Sequence, residues 1–332
     1  MPTRPRPSFV IALLFGAVAA TVAIWPQGIG IHRLPLVANA ISFRALLAIG
    51  LTVAALVFAA VAARRRRWGV SAALALSLLV ASVGNGVVLA VRGPGSVVPD
   101  GDLTVMAWNT YGGSVPPERI ARAVRETGAD VVSLPETDAF AAAEVTAILE
   151  ADGVSMHHDT VWAAEGGEMI PTSILISDEL GAYRRDTLAG STPGLPSGVW
   201  RPADGSGPTL VAAHPMPPFP EVLAQWNAGL GWIADVCTDD DVIVAGDLNA
   251  TLDHFAGYGT DGGDLGGCRD AAAVAGAAAV GTWPVRLPSL LGAPIDHVLV
   301  GSGWVVDGFA VVTGSDDAGS DHRPIVAKLS RR

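Results

Sequence analysis

Residues 242–251 read VIVAGDLNAT, an apolar run followed at once by a turn that contains Asp247 and Asn249. The run predicts a buried β-strand over residues 242–246. Asp and Asn are typical of such turns because their side chains hydrogen-bond the nearby backbone. The stretch therefore predicts a strand that carries polar side chains just beyond its C-terminal end.

Two segments earlier in the chain follow the same pattern. Residues 103–109 (LTVMAWN) end at Asn109, and residues 130–136 (DVVSLPE) end at Glu136. A helix is predicted between them over residues 116–128, because prolines open the segment, apolar residues recur at helical spacing and a glycine closes it. This is a strand–helix–strand unit with a polar side chain after each strand.

Further elements follow from the same reasoning. Apolar runs predict strands at 172–177, 208–213, 295–300, 305–312 and 323–329, and helical spacing predicts a helix at 221–235. Residues 182–207 are rich in Gly, Pro and Ser and are expected to form a loop, while the alanine run at 271–280 fits either a short helix or small-residue packing. Because strands outnumber helices, the expected fold is a mixed α/β sandwich.

The N-terminal third has a different composition. The chain of 332 residues is 50% hydrophobic and only 16% charged, and three apolar runs lie at 9–25, 41–63 and 69–91. About 20 apolar residues cross a bilayer as a helix, so three transmembrane helices are predicted within residues 1–92. The first run has the alternative of a cleaved secretion signal. Asn85, in the third run, is expected to pack between helices.

Arginines predict the orientation of these spans. Arg64–Arg67 form the connection between the second and third runs, and cytoplasmic loops are enriched in such residues. Arg4 and Arg6 then also lie in the cytoplasm, since two spans separate them from that loop. After a linker at 93–101, the domain at 102–332 is expected to be extracytoplasmic at the cell membrane.

The charge of that domain disfavours one class of partner. Of the 21 basic and 32 acidic residues, nine arginines and one acid lie in residues 1–100, which leaves 12 basic and 31 acidic residues, a net charge of −19. A phosphate backbone needs basic contacts for most of its affinity, so nucleic acid is an unlikely partner.

Polar side chains at the strand ends form the candidate site. Taken singly, each residue is also compatible with a role that is not functional: a solvated loop carboxylate for Glu136, a structural histidine for His214, and a simple turn for Asp247 and Asn249. As a set, carboxylates and amides without thiols suit Mg²⁺, with Mn²⁺ as a substitute, and histidines beside them can exchange protons. Zinc fits less well because close Cys and His spacing is missing.

The set also resembles a known family, the endonuclease/exonuclease/phosphatase superfamily. The matching strings occur in family order: MAWNTYGG, LPETD, AAHPMPP, VIVAGDLNAT, PIDHVLV and SDHRPI. The resemblance implies a four-layered α/β sandwich, with two packed mixed sheets flanked by helices and the site at the rim between the sheets. It also implies a metal-dependent phosphoric ester or pyrophosphate hydrolase.

Residue roles follow from this resemblance. It implies Glu136 as the principal Mg²⁺ ligand, with Asn109 and Asp321 as further metal-site residues. It implies His322 as the histidine that activates water and Asp296 as the carboxylate that orients it.

The remaining roles concern the phosphate and the nucleophile. Asp247 would position or deprotonate the nucleophile, and its proton role is interchangeable with that of His322. Asn249 and His214 would bind phosphate oxygens. His297, next to Asp296 on the strand, is expected to point to the opposite face and to be structural.

The order of the three spans and the globular domain suggests a resemblance to one branch within this family. Three spans before an outward domain, together with GTWP at 281–284, are similar to the VanJ-type membrane proteins associated with teicoplanin resistance. This implies a lipid-linked phosphate or pyrophosphate of cell-wall synthesis as substrate. Trp200 and Trp283 are candidates for contact with the lipid, or else core or rim aromatics. Segment 140–205 matches nothing in the family and is expected to govern substrate choice.

Three other functions stay open from the sequence: a surface nuclease, a phospholipid- or sphingomyelin-type phosphodiesterase, and a non-catalytic membrane sensor. Cys237 and Cys268 both fall on the predicted outer side, where a disulfide is chemically permitted. Two free thiols are equally compatible with their spacing.

Overall fold

Three long apolar helices open the chain in this computed structural model, which describes residues 7–65, 69–96, 100–162 and 170–332. The helices of the first unit are α1 (Pro7–Ile24), α2 (Pro35–Ser42), α3 (Arg44–Arg65) and α4 (Val70–Arg92). Helices α1, α3 and α4 are long and apolar enough to cross a membrane, as predicted. The second run starts later than predicted because Ile41 belongs to α2, which ends before Phe43. Arg4, Arg6, Arg66 and Arg67 lie outside the described residues.

Polar side chains connect these helices. Asn85 on α4 is fully buried, and its Nδ2 donates to the carbonyl oxygens of Ala23 (3.3 Å) and Ala81 (2.9 Å). Arg44 donates to Asn85 Oδ1 at 2.5 Å and to the carbonyl of Ile24 at 3.2 Å. The expectation that Asn85 packs between helices is confirmed, since its amide connects α4 to the end of α1.

The second unit, Gly93–Arg332, is built on two six-stranded mixed sheets. The first sheet has the order β11-β12-β1-β2-β4-β3 and the second β5-β6-β7-β8-β10-β9. The strands are β1 (Leu103–Ala107), β2 (Val131–Pro135), β3 (Met156–Val161), β4 (Thr172–Ser177), β5 (Tyr183–Arg185), β6 (Gly198–Pro202), β7 (Thr209–Ala213), β8 (Val242–Asp247), β9 (Arg269–Asp270), β10 (Asp296–Val300), β11 (Trp304–Val311) and β12 (Ile325–Arg331). The helices are α5 (Pro117–Thr127), α6 (Ala139–Ala151), α7 (Leu223–Val236), α8 (Leu252–Phe255) and α9 (Ala271–Val274).

The core lies between the two sheets. Val105 and Ile325 from the first sheet belong to the same buried cluster as Leu210 and Ala245 from the second. A second cluster joins the outer face of the first sheet to α5 and α6, because strand side chains alternate between faces. Two packed mixed sheets with flanking helices confirm the predicted α/β sandwich.

Segment 182–207 departs from the prediction of a loop. It contains β5 and β6, and the Gly, Pro and Ser residues are concentrated in the connection between them. Trp200 on β6 is only 2% exposed, lies in the core between the sheets and donates its Nε1–H to Asp159 Oδ2 at 2.9 Å. Trp200 is therefore a core aromatic and does not contact lipid.

Candidate active site

One edge of the two sheets collects the polar residues. The parallel strands β1 and β2, like β7 and β8, end at this edge, and the antiparallel β10 and β12 begin there. Asp296 pairs directly with Asp247 across β10 and β8. The residues that meet at this edge are Asn109, Glu136, His214, Asp247, Asn249, Asp296, Asp321 and His322, all eight of the predicted site residues.

Asn109 connects the two sheets at this edge. Its Nδ2 donates to Glu136 Oε1 and to Asp247 Oδ2, each at 3.0 Å. Its Oδ1 accepts from the backbone N–H of Tyr111 at 2.9 Å. Because the amide nitrogen faces the carboxylates and the oxygen is occupied, Asn109 positions Glu136 and Asp247 in this structure.

Glu136 has a backbone conformation that is uncommon for a residue with a side chain. Its φ is +64°, and Asn249 at the end of β8 has φ +49°. Such residues cost about 1 kcal/mol or more and concentrate at functional sites. The conformation brings Glu136 Oε2 within 2.8 Å of the Gly112 N–H, which donates to it.

His322 and Asp296 form a buried pair. His322 Nδ1 lies 2.9 Å from Asp296 Oδ2, which leaves Nε2 directed at Asp247 Oδ2 (3.7 Å) and Asp321 Oδ1 (3.9 Å). Burial alone would lower the pKa of His322, but the negative charges of Asp296 and Asp247 outweigh it and raise the pKa to about 10. The imidazole is thus oriented at one nitrogen and available at the other.

Trp108 and Ser320 hold the backbone of His322 in place. The Nε1–H of Trp108 donates to the carbonyl of His322 at 2.9 Å, and Ser320 Oγ accepts from its N–H at 2.9 Å. Ser320 Oγ also donates to the carbonyl of Asn109 at 2.6 Å. The sequence offered a signal for these supports, since Trp108 immediately precedes Asn109 and Ser320 precedes the Asp321–His322 pair, but neither was predicted.

Asp247 combines burial with several donors. Its pKa is raised to about 7 by burial, although the charge of His322 and hydrogen bonds from Asn249 and Asn109 oppose the shift. The backbone N–H of Asn249 donates to Asp247 Oδ1 at 2.8 Å, which is the turn that the sequence predicted. Asn249 Nδ2 donates to the carbonyl of Pro215 at 3.0 Å and so fixes the loop after β7.

His214 is the second histidine at the site. Burial, reinforced by the charge of His322, lowers the pKa of His214 to about 3, so its imidazole is neutral at pH 7. Its Nε2 lies 3.8 Å from Glu136 Oε1 and 3.9 Å from Asp247 Oδ2. A neutral imidazole between two carboxylates can donate one hydrogen bond to a phosphate oxygen.

Trp283 is a site residue whose contact the sequence did not predict. Its Nε1–H donates to Asp321 Oδ2 at 2.7 Å, and its ring centroid lies 6.4 Å from that of His322. The hydrogen bond fixes Asp321 so that the other oxygen, Oδ1, faces His322. The GTWP string at 281–284 was the available signal; from the sequence it supports the resemblance to VanJ-type proteins, with Trp283 as a lipid contact or else a core or rim aromatic.

His297 points away from the site. Its Nδ1 lies 2.6 Å from Asp270 Oδ2 and its Nε2 lies 2.8 Å from the carbonyl of Ala250. Neighbouring residues alternate along β10, so the side chain of His297 leaves the strand on the face opposite to Asp296. His297 therefore supports the turn after β8 from behind, in agreement with its predicted structural role.

The donor set at the edge fits a divalent cation. Asp247, Asp296 and His322 each offer one ligand atom, and these atoms lie within 4.8 Å of one another. Among the described residues, the buried oxygens Asp296 Oδ1 and Asp321 Oδ1 have no hydrogen-bond partner. Unpartnered buried carboxylate oxygens are costly, and a hard cation that prefers oxygen ligands would satisfy them.

A disulfide lies close to one of the strands that carry the site. Cys237, at the end of α7, is bonded to Cys268, 31 residues further along the chain. The segment that the bond closes contains β8 and the GDLNAT turn. The question that the sequence left open is thus answered in favour of the disulfide.

Comparisons with known proteins agree with this geometry. A family model described as "Endonuclease/Exonuclease/phosphatase family" matches residues 106–322. No curated protein matches the chain. Solved structures are similar in fold at low sequence identity, and three of them are described next.

The first is a humanized D. rerio TDP2 with 14 mutations, at 18% identity and TM-score 0.51, covering 68% of this chain and 98% of that one. An endonuclease/exonuclease/phosphatase from Beutenbergia cavernae has 19% identity and TM-score 0.51, covering 70% and 72%. A family protein from Leptotrichia buccalis has 12% identity and TM-score 0.52, covering 68% and 99%. Members of the matched family are metal-dependent phosphoester hydrolases.

Proposed function

Because the chain belongs to the endonuclease/exonuclease/phosphatase family, we propose that it is a Mg²⁺-dependent phosphohydrolase that acts at the outer face of the cell membrane. Its substrate is a lipid-linked phosphate or pyrophosphate of cell-wall synthesis. The observation that carries the proposal is a buried cluster of Asp247, Asp296 and His322 that could hold a cation, on a chain with three helices long and apolar enough to span a membrane. The similarity of its architecture to VanJ-type proteins supports the same substrate class.

The side chains of the site have separate roles in binding the metal and in exchanging protons. The family resemblance assigns Mg²⁺ to Glu136 and Asp321, next to the cluster of Asp247, Asp296 and His322. When bound, the cation would supply positive charge that neutralises the phosphate oxygens. Asp296 holds His322 at Nδ1, so that Nε2 exchanges a proton with water or the leaving group. Asp247, 3.7 Å from that nitrogen, is the second proton-exchanging group.

Two donors then serve the phosphate. His214 is neutral and Asn249 carries an amide, so both can hydrogen-bond non-bridging oxygens as charge develops on them. His214 is 1% exposed and cannot reorient freely, which keeps its Nε2 directed into the site.

Two observations support an extracytoplasmic site, and the length of the tether supports a site close to the membrane. The arginine-rich connection between the second and third spans favours a cytoplasmic position for that connection. The Cys237–Cys268 disulfide is typical of an oxidising compartment. Only ten residues separate Arg92 from Leu103, a reach of at most about 36 Å, so the domain stays near the lipid headgroups.

The experiment is a substrate comparison with full-length protein in detergent micelles. We would supply undecaprenyl pyrophosphate, a lipid-linked cell-wall precursor, phosphatidylcholine, sphingomyelin and DNA, each with Mg²⁺, Mn²⁺ or EDTA. The proposal predicts Mg²⁺-dependent release from a polyprenyl substrate while DNA stays intact. Preferential cleavage of DNA would make the protein a surface nuclease, and cleavage of phospholipid or sphingomyelin alone would make it a phosphodiesterase. No turnover of any substrate would favour a sensor.

A further inference from the structure

Exposed apolar side chains of the second unit are concentrated at the catalytic edge. Among the residues that the structure describes in 93–332, eight large hydrophobic side chains are exposed, and five lie in segments at that edge. We call these five the apolar rim: Tyr111, Phe140, Trp162, Phe219 and Leu290. The other three lie elsewhere: Leu188 is next to Ala189, whose carbonyl accepts from Trp232 in the second half of α7, and Val274 and Val305 lie towards the opposite edge with β9 and the start of β11.

Strand pairing places the rim residues of the first sheet. Tyr111 follows β1, and Phe140 lies in the first turn of α6, just after β2. Val161 at the end of β3 pairs with Thr172, which also pairs with the last residue of β2, so Trp162 emerges at the same edge.

The rim residues of the second sheet come from two connections. Phe219 lies in the segment after β7, and Leu290 in the segment that leads into β10. Five separate segments thus contribute one apolar side chain each.

The exposure of these side chains ranges from 43% for Trp162 to 86% for Phe140. Single exposed hydrophobic residues are normal on a protein surface, but a concentration at one edge is typical of an interaction site. The domain as a whole is acidic, since residues 101–332 carry a net charge of −19.

We propose that the apolar rim inserts into the outer surface of the lipid bilayer, so that the catalytic edge faces the headgroups. The chain itself provides the reason for a bilayer, because three helices able to span a membrane are tethered to this domain. Apolar side chains favour the interface between water and lipid, so their concentration at one edge would orient the domain. The inference rests on the proposed function and adds where the reaction takes place. The phosphate is hydrolysed at the bilayer surface, while the lipid that carries it stays in the membrane.

The test uses full-length protein in phosphatidylcholine vesicles. Because both native cysteines are in the disulfide, Phe140→Cys and Phe219→Cys each add one reactive thiol for an environment-sensitive fluorophore. Val305→Cys, which is exposed near the opposite edge, is the matched control. The proposal predicts that lipids spin-labelled near the headgroup quench positions 140 and 219 several-fold more than position 305. Equal quenching at all three positions would overturn it.

A blue-shifted emission at 140 and 219 that lipid quenchers do not reduce would assign the rim to a protein partner or a second copy, and would equally overturn the proposal. Activity gives an independent measurement. The double variant Phe140→Ser/Phe219→Ser should lose about tenfold in rate on a vesicle-borne lipid substrate, with the rate on a water-soluble phosphate ester or pyrophosphate unchanged. Equal rates of wild type and variant on vesicles would also count against the rim.

The two proposals fail in different ways. If no lipid substrate is hydrolysed, the proposed function falls, while quenching at the rim still decides whether the edge inserts. If lipid is hydrolysed but positions 140 and 219 behave like position 305, only the apolar rim falls.

Discussion

Removal of the Cys237–Cys268 disulfide should destabilise the second unit by a calculable amount. The two residues are 31 apart in sequence, and closing a loop of that length in the unfolded chain corresponds to about 4 kcal/mol of stabilisation. Backbone hydrogen bonds also connect the segments on either side of the bond. Gly267 N–H donates to the carbonyl of Cys237, and Asp264 N–H to that of Cys268, each at 2.7 Å.

The expected shift in melting temperature follows from the size of the unit. A domain of this length loses about 2 °C per kcal/mol, so Cys237→Ala/Cys268→Ala should melt about 8 °C below the wild type. Seven of the nine tryptophans lie in residues 93–332, so intrinsic fluorescence of the full-length protein reports mainly on this unit.

Reductant provides the control for this measurement. Reduced wild type should melt at the temperature of the double variant, and the variant should not respond to reductant. A decrease of less than about 2 °C on reduction would refute the reasoning, because the cross-link would then contribute less than about 1 kcal/mol.

Three further predictions concern the site and its support. Asp296→Asn should lower kcat by about 10³-fold with unchanged circular dichroism, because His322 loses the charge at Nδ1; a loss below tenfold would contradict this. Trp283→Phe removes the donor to Asp321, and should raise the Mg²⁺ concentration for half-maximal activity about tenfold; an unchanged titration would exclude that role.

The third concerns His297. Burial tends to lower the pKa of His297, but the charge of Asp270 and its hydrogen bond raise that pKa overall. The ion pair of His297 with Asp270 therefore stabilises the fold fully below pH about 6.5, and this stabilisation is lost as pH rises through the pKa of His297 in the folded state. Unfolding free energies measured against pH should therefore fall more steeply for wild type than for His297→Gln above that pH, and parallel curves would count against the pairing.

The fold was predictable where local pattern and tertiary environment agree. VIVAGDLNAT forms β8 and its turn as expected, because an apolar run and an Asx turn are both local signals. The strands in segment 182–207 were not predictable, because β6 is defined by its pairing with β7 and by the burial of Trp200 between the sheets. Burial against another sheet is a tertiary effect that Gly and Pro content conceals.

The site shows the same division. The sequence indicated which residue types follow the strands, and the structure brings them to one edge. What it could not indicate is how each side chain is held. The contacts of Trp108 with His322 and of Trp283 with Asp321 join segments that are 214 and 38 residues apart. Such contacts depend on the packing of the two sheets and leave no local signature.

The central claim is that this edge is a metal-dependent phosphohydrolase site. The most direct measurement is phosphate release from undecaprenyl pyrophosphate by full-length protein in vesicles, comparing His322→Ala with His157→Ala. His157 is a matched control because it lies on β3 beside Asp178, away from the site. The account predicts that the rate falls about 10³-fold or more in His322→Ala and stays at the wild-type value in His157→Ala. It also predicts that EDTA abolishes the activity of the wild type and of His157→Ala. Equal rates for the two variants, or turnover that persists in EDTA, would contradict it.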